Sequence, residues 1–208
     1  MPADLDRRAA RHAQTRDEIL DAAAALVTER GAGDLNLSEL ATRAGFGNAA
    51  SLYRYFSSKE EILTALTQRG LRRLGAHMRS VPDDLEPTDQ LIELCLAYLD
   101  YAREHPGERR LLLAASGGIA PADRAAILPD EFVRRMFALV ADAAGQGVVV
   151  VRGEHDLFAI LHACWALAQG MAEYDALYGD PEREVLRGRQ RAVFRALVKG
   201  FGLDWTGA

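Results

Sequence analysis

The spacing of apolar residues near the start of the sequence restricts the fold more than any other feature. Five of them recur at three- and four-residue steps and share one face of a helix: Ile19, Leu20, Ala23, Leu26 and Val27. Thr15 and Glu18 form a capping-box pattern ahead of this face, and Gly31 follows its last turn. Because alanine and leucine dominate and β-branched residues are sparse, long helices are also favoured elsewhere. We therefore predict an all-α fold whose first helix spans residues 15–30.

Two short helices and a glycine turn follow the first helix. Asn36, with Glu39 three residues later, is a second capping-box pattern, and Gly45 ends this helix after barely two turns. The glycines that flank Phe46 allow a tight turn, and a third helix is predicted over about 48–55. Two short helices held by a longer preceding helix make the helix-turn-helix arrangement, which places its second helix in the major groove of DNA.

Three stretches of the sequence carry a more specific likeness. "ILDAAAALVTERG", "LNLSELATRAGF" and "SLYRYFSSKEEILTAL" together resemble the DNA-binding domain of the TetR/AcrR family of transcriptional regulators, over about residues 15–66. The resemblance implies an N-terminal helix-turn-helix domain of three helices, joined to a larger helical domain for ligand binding and dimerisation. We accordingly expect a flexible basic arm over 1–14, a DNA-binding domain over 15–60 and a regulatory domain over 61–208.

Small residues at the start of the predicted recognition helix permit close approach to the floor of the groove. Asn48 and Ser51 are the polar side chains there that reach base edges, and Ala49 is a candidate contact for a thymine methyl group. Asn48 has a second reading as the N-cap of the helix, and both roles can hold together. Six residues separate Gly45 from Leu52, where the family pattern has five, which leaves the register of the recognition helix open.

Contacts to phosphate are expected around the recognition helix. By resemblance, Tyr53 is a phosphate-contacting tyrosine, Tyr55 occupies a second DNA-contacting position, and Lys59 is a phosphate-binding lysine. The alternatives are that one tyrosine ring packs into the core with its hydroxyl in water, and that Lys59 is simply solvated. Thr42 and Arg43 lie on the polar side of the preceding helix and are further phosphate candidates.

After the recognition helix, the sequence predicts long helices over about 60–79, 86–104, 107–115, 122–144, 154–178 and 182–201. The last two carry apolar residues that point to burial on more than one side. Paired with the same two helices of a second copy, they would form a four-helix bundle, which is where the family dimerises. A homodimer would read a palindromic operator in double-stranded DNA. The alternative is that these helices complete the core of a monomer.

Ligand binding is predicted by resemblance alone. The resemblance implies that the protein is a repressor and that a small-molecule inducer, bound in the regulatory half, releases it from DNA. The sequence does not identify this inducer. The candidate lining residues each have an alternative as ordinary core: His77, Tyr98, Tyr101, Phe137, His162, Trp165 and Met171. No cofactor or metal ion is predicted, since Cys95 and Cys164 lack metal-ligand spacing and are read as two buried thiols, with a redox switch as the alternative.

Charge and motif content restrict the class of function. The net charge is −5, yet residues 1–79 hold 12 Lys and Arg against 10 Asp and Glu, whereas residues 80–208 hold 13 against 20. The acidic total supports the alternative of a helical ligand- or partner-binding protein without DNA binding. The sequence has no glycine-rich phosphate loop, HExxH or G-x-S-x-G motif, so we predict no enzyme. It also lacks an apolar run of the ~18 residues that a membrane span needs, so we expect no membrane partner and a cytoplasmic location.

Overall fold

A computed structural model describes residues 2–117, 130–152, 154–178 and 182–202, and every regular element within these ranges is helical. The elements are α1 (Pro2–Arg30), α2 (Leu37–Arg43), a 3-10 helix (Ala49–Arg54), α3 (Lys59–Arg79), α4 (Pro87–Glu104), α5 (Pro106–Gly117), α6 (Asp130–Gly145), α7 (Glu154–Tyr178) and α8 (Arg183–Phe201). The all-α prediction is confirmed. Within the described ranges, no helix combines the length and hydropathy that crossing a membrane requires.

The helices group into two compact units. The first, here called the head, comprises Met1–Arg72 and His105–Ala122, and the second, the body, comprises Arg73–Glu104 and Asp123–Ala208. The head therefore contains α1, α2, the 3-10 helix, the first part of α3 and α5. The predicted domain boundaries at residues 14 and 60 stay predictions.

The core of the head forms where the apolar face of α1 meets its neighbours. Its fully buried large side chains come from several elements: Ile19, Leu40, Leu52, Phe56, Ile62 and Leu66. Gly107 of α5 lies so close to α1 that a Cβ atom added there would be 2.1 Å from the carbonyl oxygen of Ala24. The predicted apolar face of α1 is confirmed as part of this core.

The first helix begins at Pro2, so its predicted start at residue 15 is wrong. Thr15 lies within the helix and does not cap it. Ala9, Ala10 and Ala13 favour helix through their intrinsic propensity. In addition, Arg16 donates a hydrogen bond to the carbonyl of Tyr55, which ties this part of α1 to the head. We call residues 2–14 the helical extension of α1.

The body contains α4, α6, α7 and α8 together with the last part of α3, and α4 contacts each of the other three complete helices. A series of ion pairs joins α8 to α4. Arginines later in α8 pair with carboxylates earlier in α4, so the two helices run in opposite directions. Its pairs are Arg183 with Asp100 and Glu104, Arg187 with Glu93 and Asp100, Arg191 with Glu93, and Arg195 with Asp89. We call this set the arginine ladder.

The valine run at residues 148–151 connects α6 to α7 without forming a strand. Of the run, Val149 is buried, whereas Val148 and Val150 are exposed. The N–H of Val150 donates to the carbonyl of Phe201 at the end of α8, at 3.0 Å. This bond ties the connection to the body.

Candidate nucleic-acid interface

The second helix of the head is capped as its sequence predicts. The side chain of Asn36 accepts hydrogen bonds from the backbone N–H groups of Ser38 and Glu39, at 2.8 and 3.2 Å. The Glu39 carboxylate does not complete the capping box, because it pairs with Arg30 at 2.7 Å. After α2, Gly45 adopts φ +81°, a backbone conformation that glycine reaches without strain. These features define the turn that aims the next helix.

The recognition segment is a 3-10 helix of six residues. Asn48 caps it, since its side-chain oxygen accepts from the N–H of Ser51 at 3.2 Å. Leu52 is buried in the core, whereas the Tyr53 ring is 57% exposed. The N-capping role of Asn48 is therefore confirmed, and its amide group stays exposed to solvent. Ala49 and Ser51, the other predicted base contacts, are half-buried at the same end of the segment.

Tyr55 and Lys59 are more engaged with the protein than Tyr53 is. The Tyr55 ring is half-buried, with its centroid 4.8 Å from that of His12 and 5.8 Å from that of Phe46. The ammonium group of Lys59 donates to the carbonyl of Gly33 at 2.9 Å. Packing of one tyrosine ring is the alternative to phosphate contact that the sequence leaves open, and Tyr55 is the tyrosine whose ring packs in this way. Contact of either residue with DNA stays a prediction.

The two candidates on α2 also have partners within the head. The hydroxyl of Thr42 donates to the carbonyl of Ser38, at 3.1 Å. The guanidinium group of Arg43 pairs with Glu29 of α1, at 2.7 Å. Both side chains are exposed. Because a guanidinium group carries five N–H donors, this ion pair leaves donors for a phosphate.

The start of α3 is fixed by the serines that precede it. Ser58 accepts a hydrogen bond from the N–H of Glu61, and the Glu61 carboxylate accepts from the backbone N–H and hydroxyl of Ser57, at 2.6 and 2.7 Å. These bonds from Ser57, with a smaller contribution from Arg16, hold the pKa of Glu61 below its ordinary value. The arrangement joins the end of the recognition segment to the start of α3.

Two residues of α1 at this interface were not predicted as site residues. Arg16 lies 4.1 Å from the centroid of the Phe56 ring and also contacts Glu61 at 3.5 Å. A ring nitrogen of His12 lies 3.4 Å from the carbonyl oxygen of Arg54. The sequence signal for them is the run at residues 7–16, which holds four arginines and one histidine with no carboxylate.

The head therefore presents a short capped helix with Leu52 and Phe56 buried and Tyr53 outward, held by two further helices. The family model "Bacterial regulatory proteins, tetR family" matches residues 19–66, which cover most of this arrangement. A second model, "Tetracyclin repressor-like, C-terminal domain", matches residues 91–199, just over half of the chain. The chain belongs to the TetR family of bacterial transcriptional regulators. Its helix-turn-helix is the DNA-binding domain of that family.

Individual relatives agree with this assignment. An HTH-type transcriptional regulator of Mycobacterium tuberculosis is 40% identical over 91 residues, which is 43% of this chain and 45% of that protein. The HTH-type transcriptional repressor KstR2 of the same organism is 33% identical over 102 residues, 49% of this chain and 50% of that protein. The chain thus matches about half the length of these curated relatives.

Solved structures cover more of this TetR-family chain. The TetR-family transcriptional regulator PfmR from Thermus thermophilus has a TM-score of 0.70 at 25% identity, over 91% of this chain and 97% of its own. The structure of the ketosteroid transcriptional regulator KstR2 of Mycobacterium tuberculosis has a TM-score of 0.72 at 19% identity, over 91% and 95%. The second likeness concerns the fold alone.

In the body, four of the seven candidate ligand residues come together. The ring centroids of His77 and Tyr101 are 5.8 Å apart, those of Tyr101 and Tyr98 are 6.5 Å apart, and those of Tyr98 and Trp165 are 4.9 Å apart. The Tyr98 hydroxyl donates to the side-chain oxygen of Gln169 at 2.7 Å. We call these four rings the aromatic cluster. It joins the end of α3, α4 and α7.

The other three candidates lie apart from this chain of contacts. Phe137 of α6 packs edge-to-face on Phe158 of α7, with ring centroids 5.0 Å apart. His162 is exposed and Met171 is half-buried, both on α7. Their contact with a ligand stays a prediction.

The two cysteines meet in the body although they are far apart in the sequence. Cys95 of α4 and Cys164 of α7 are both buried, as predicted, and both are free thiols. A hydrogen bond between them, together with burial, raises the pKa of Cys95, whereas the same bond lowers the pKa of Cys164. Sequence spacing gave no sign of this contact.

Proposed function

We propose that this TetR-family protein is a homodimeric, ligand-responsive repressor that binds a palindromic operator in double-stranded DNA. The observation that carries the proposal is the recognition segment. Leu52 and Phe56 anchor it in the core, and its exposed side offers Asn48 and Tyr53 to a ligand outside the head. Action on operator DNA places the protein in the bacterial cytoplasm.

DNA recognition is divided between base and phosphate contacts. Asn48, Ala49 and Ser51 lie at the start of the recognition segment, where a helix reaches base edges in the major groove. Contacts with backbone phosphates would set the register of the protein on the duplex. The proposed phosphate contacts are Thr42, Arg43, Tyr53, Tyr55 and Lys59.

The composition of the two faces of α8 supports a homodimer. On one face, the arginines at 183, 187, 191 and 195 are engaged with carboxylates of α4. The opposite face is exposed and holds five small or apolar residues, with Arg189 and Lys199 among them: Val185, Gly188, Ala192, Val193 and Ala196. We call these five residues the α8 stripe. Because most of the arginines of α8 are paired with α4 while the stripe is exposed, burial of the stripe by a second copy is favoured.

Helix α7 supplies a second surface of the same kind. Its exposed residues are mostly apolar or small: Phe158, Ala159, Trp165, Ala166, Gly170, Tyr174, Ala176 and Leu177. Alanine and glycine let two helices approach closely, and the larger residues supply apolar area to bury. Two such helices from each copy fit a four-helix bundle.

Repression is supported by one relative, and release by a small molecule is supported by the aromatic cluster of the body. KstR2, which shares 33% identity with this chain over 102 residues, is named a repressor. In the body, the aromatic cluster offers stacking surfaces next to one hydrogen-bonding amide, that of Gln169, which suits a small organic inducer. For an inducer to release DNA, it must bind the DNA-incompetent state of the dimer more tightly than the competent state.

Selection from genomic DNA tests the DNA-binding proposal. Purified protein is mixed with sheared DNA of its source at about 0.1–0.15 M salt, and retained fragments are sequenced, since affinity for DNA depends steeply on salt. Tyr53→Ala is run in parallel with Gln146→Ala, a control at an exposed residue of the body outside the α7 and α8 surfaces described above. We expect one palindrome to be enriched by the wild type and by Gln146→Ala and lost with Tyr53→Ala. Equal enrichment by all three, or none by the wild type, would contradict the proposal and favour a helical partner-binding protein.

A matched pair of variants tests the homodimer. Ala192→Glu places a carboxylate in the α8 stripe, and Ala138→Glu places one at an exposed position of α6. Sedimentation velocity should find a dimer for the wild type and for Ala138→Glu, and a monomer for Ala192→Glu. A wild-type monomer, or a dimer in all three, would exclude this surface as the dimer interface.

A further inference from the structure

The helical extension of α1 is held against the end of the recognition segment. The His12 ring stacks near the Tyr55 ring, at 4.8 Å between centroids, and one of its nitrogens lies 3.4 Å from the carbonyl oxygen of Arg54. One turn later, Arg16 donates to the carbonyl of Tyr55 and covers the Phe56 ring. Because α1 runs without a break into the core of the head, these contacts fix the direction of the extension relative to the recognition segment.

Helical spacing places two exposed arginines beside these contacts. Arg8 precedes His12 by four residues and therefore lies on the same face of α1, about 6 Å further along the axis. Arg11 lies on the adjoining part of the surface, and both side chains are exposed. Residues 7–16 contain no carboxylate, although Asp4 and Asp6 precede them in the sequence.

The dimensions of the major groove indicate which part of DNA Arg8 and Arg11 would contact. The major groove is about 12 Å wide and admits one helix, so a second helix packed beside the end of the recognition segment has its axis about 10 Å away. The phosphate backbone of DNA lies at this distance, roughly 10 Å, from the centre of the groove. An arginine in this position neutralises phosphate and carries no sequence information.

We propose that the helical extension of α1 is a second DNA-contacting element, in which Arg8 and Arg11 bind backbone phosphates beside the groove that the recognition segment enters. This inference rests on the proposed DNA binding. It adds a preformed cationic helix to the helix-turn-helix, with His12 and Arg16 as positioning residues that hold it in place.

The salt dependence of binding measures such contacts directly. A fluorescently labelled duplex of about 30 base pairs and arbitrary fixed sequence is titrated between about 50 and 200 mM salt, because each phosphate contact adds about 0.9 to the slope of log affinity against log salt. The proteins compared are the wild type, Arg8→Ala/Arg11→Ala, and the control Arg72→Ala/Arg79→Ala. The control removes the same charge from positions about 20 and 30 Å along α3 from Lys59.

We expect the Arg8→Ala/Arg11→Ala slope to fall by about 2 for each bound subunit, and so by about 4 for the proposed homodimer, whereas the control keeps the wild-type slope. The palindrome selected from genomic DNA should remain the same, since the lost contacts carry no sequence information. Thermal unfolding should be unchanged for both variants, because all four side chains are exposed. Equal slopes in all three proteins would overturn the inference while leaving operator binding intact. A wild type that binds neither the duplex nor any genomic fragment would overturn the proposed function as well.

Discussion

The Nε of Arg69 lies 2.8 Å from a carboxylate oxygen of Glu108, and both side chains are almost completely buried. The same guanidinium group donates to the carbonyls of Asp17 and Leu20 and to the carboxylate of Asp21. One cation of α3 thereby joins α1 and α5 inside the head. A buried charge of this kind is tolerated only when its partners are in place.

We expect Arg69→Met to lower the free energy of unfolding by about 3–5 kcal/mol, because it removes a buried cation while the carboxylates that it pairs with, Glu108 and Asp21, stay in place. Arg72→Met, three residues later on the exposed side of α3, should change it by less than about 0.5 kcal/mol. Arg69→Met/Glu108→Met should recover part of the loss, since neither charge then remains buried. Urea unfolding measures all three. An Arg69→Met protein as stable as Arg72→Met would show that this pair does not hold the head together.

The contact between α5 and α1 gives a steric prediction. A Cβ atom at Gly107 would lie 2.1 Å from the carbonyl oxygen of Ala24 and 2.6 Å from the hydroxyl of Thr28. Since the first of these is a backbone atom, the helices must separate, and we expect Gly107→Ala to cost about 3 kcal/mol. Gly33→Ala, at a position with nothing within 4 Å, is the control and should cost little. Comparable melting temperatures for the two variants would contradict the close approach.

Helix ends were predictable wherever the sequence breaks a helix locally. The ranges predicted for the helices after the recognition segment included 60–79, 86–104 and 154–178, and α3, α4 and α7 match them within one residue. Prolines and glycines mark most of these ends, and they act through the local backbone. The predicted helix over 122–144 corresponds to α6 from Asp130, and residues 118–129 lie outside the described residues.

The features that could not be predicted from the sequence depend on contacts between residues that are distant along the chain. The start of α1 was missed because Arg16 and His12 are held by residues about forty positions later. The pairing of Arg43 with Glu29 and of Lys59 with the Gly33 carbonyl likewise has no signature in spacing. The buried Leu52 and Phe56 were predictable, because they lie four residues apart on the face that the core requires.

The Glu61 carboxylate gives a prediction about pH. Its pKa in the folded protein is held below its ordinary value, chiefly by hydrogen bonds from Ser57. It therefore stabilises the fold at pH values above its unfolded pKa of about 4.3, and this stabilisation is lost as the pH falls through its folded pKa. We expect Glu61→Gln to lower the melting temperature at pH 7, and this difference to shrink as the pH falls below about 4.3. Glu18→Gln, at an exposed position of α1, is the control. A difference between Glu61→Gln and wild type that stays constant as the pH falls would contradict the assignment.

Asn48 offers a way to separate capping from DNA recognition. Its side-chain oxygen accepts the hydrogen bond from Ser51, and its amide nitrogen is the group that could donate to a base. Asn48→Asp keeps the acceptor and removes the donor, so its stability should equal that of the wild type while operator affinity falls by about 1–3 kcal/mol, roughly 5- to 150-fold. Asn48→Ala removes both groups and should also cost about 1 kcal/mol of stability. Thermal unfolding and titration of the selected operator measure the two effects.

The carboxylate of Asn48→Asp also repels phosphate, so a neutral variant is the control. Asn48→Ser keeps a capping oxygen without this charge, and it must lose operator affinity as well. Wild-type affinity in Asn48→Ser would limit Asn48 to capping the recognition segment.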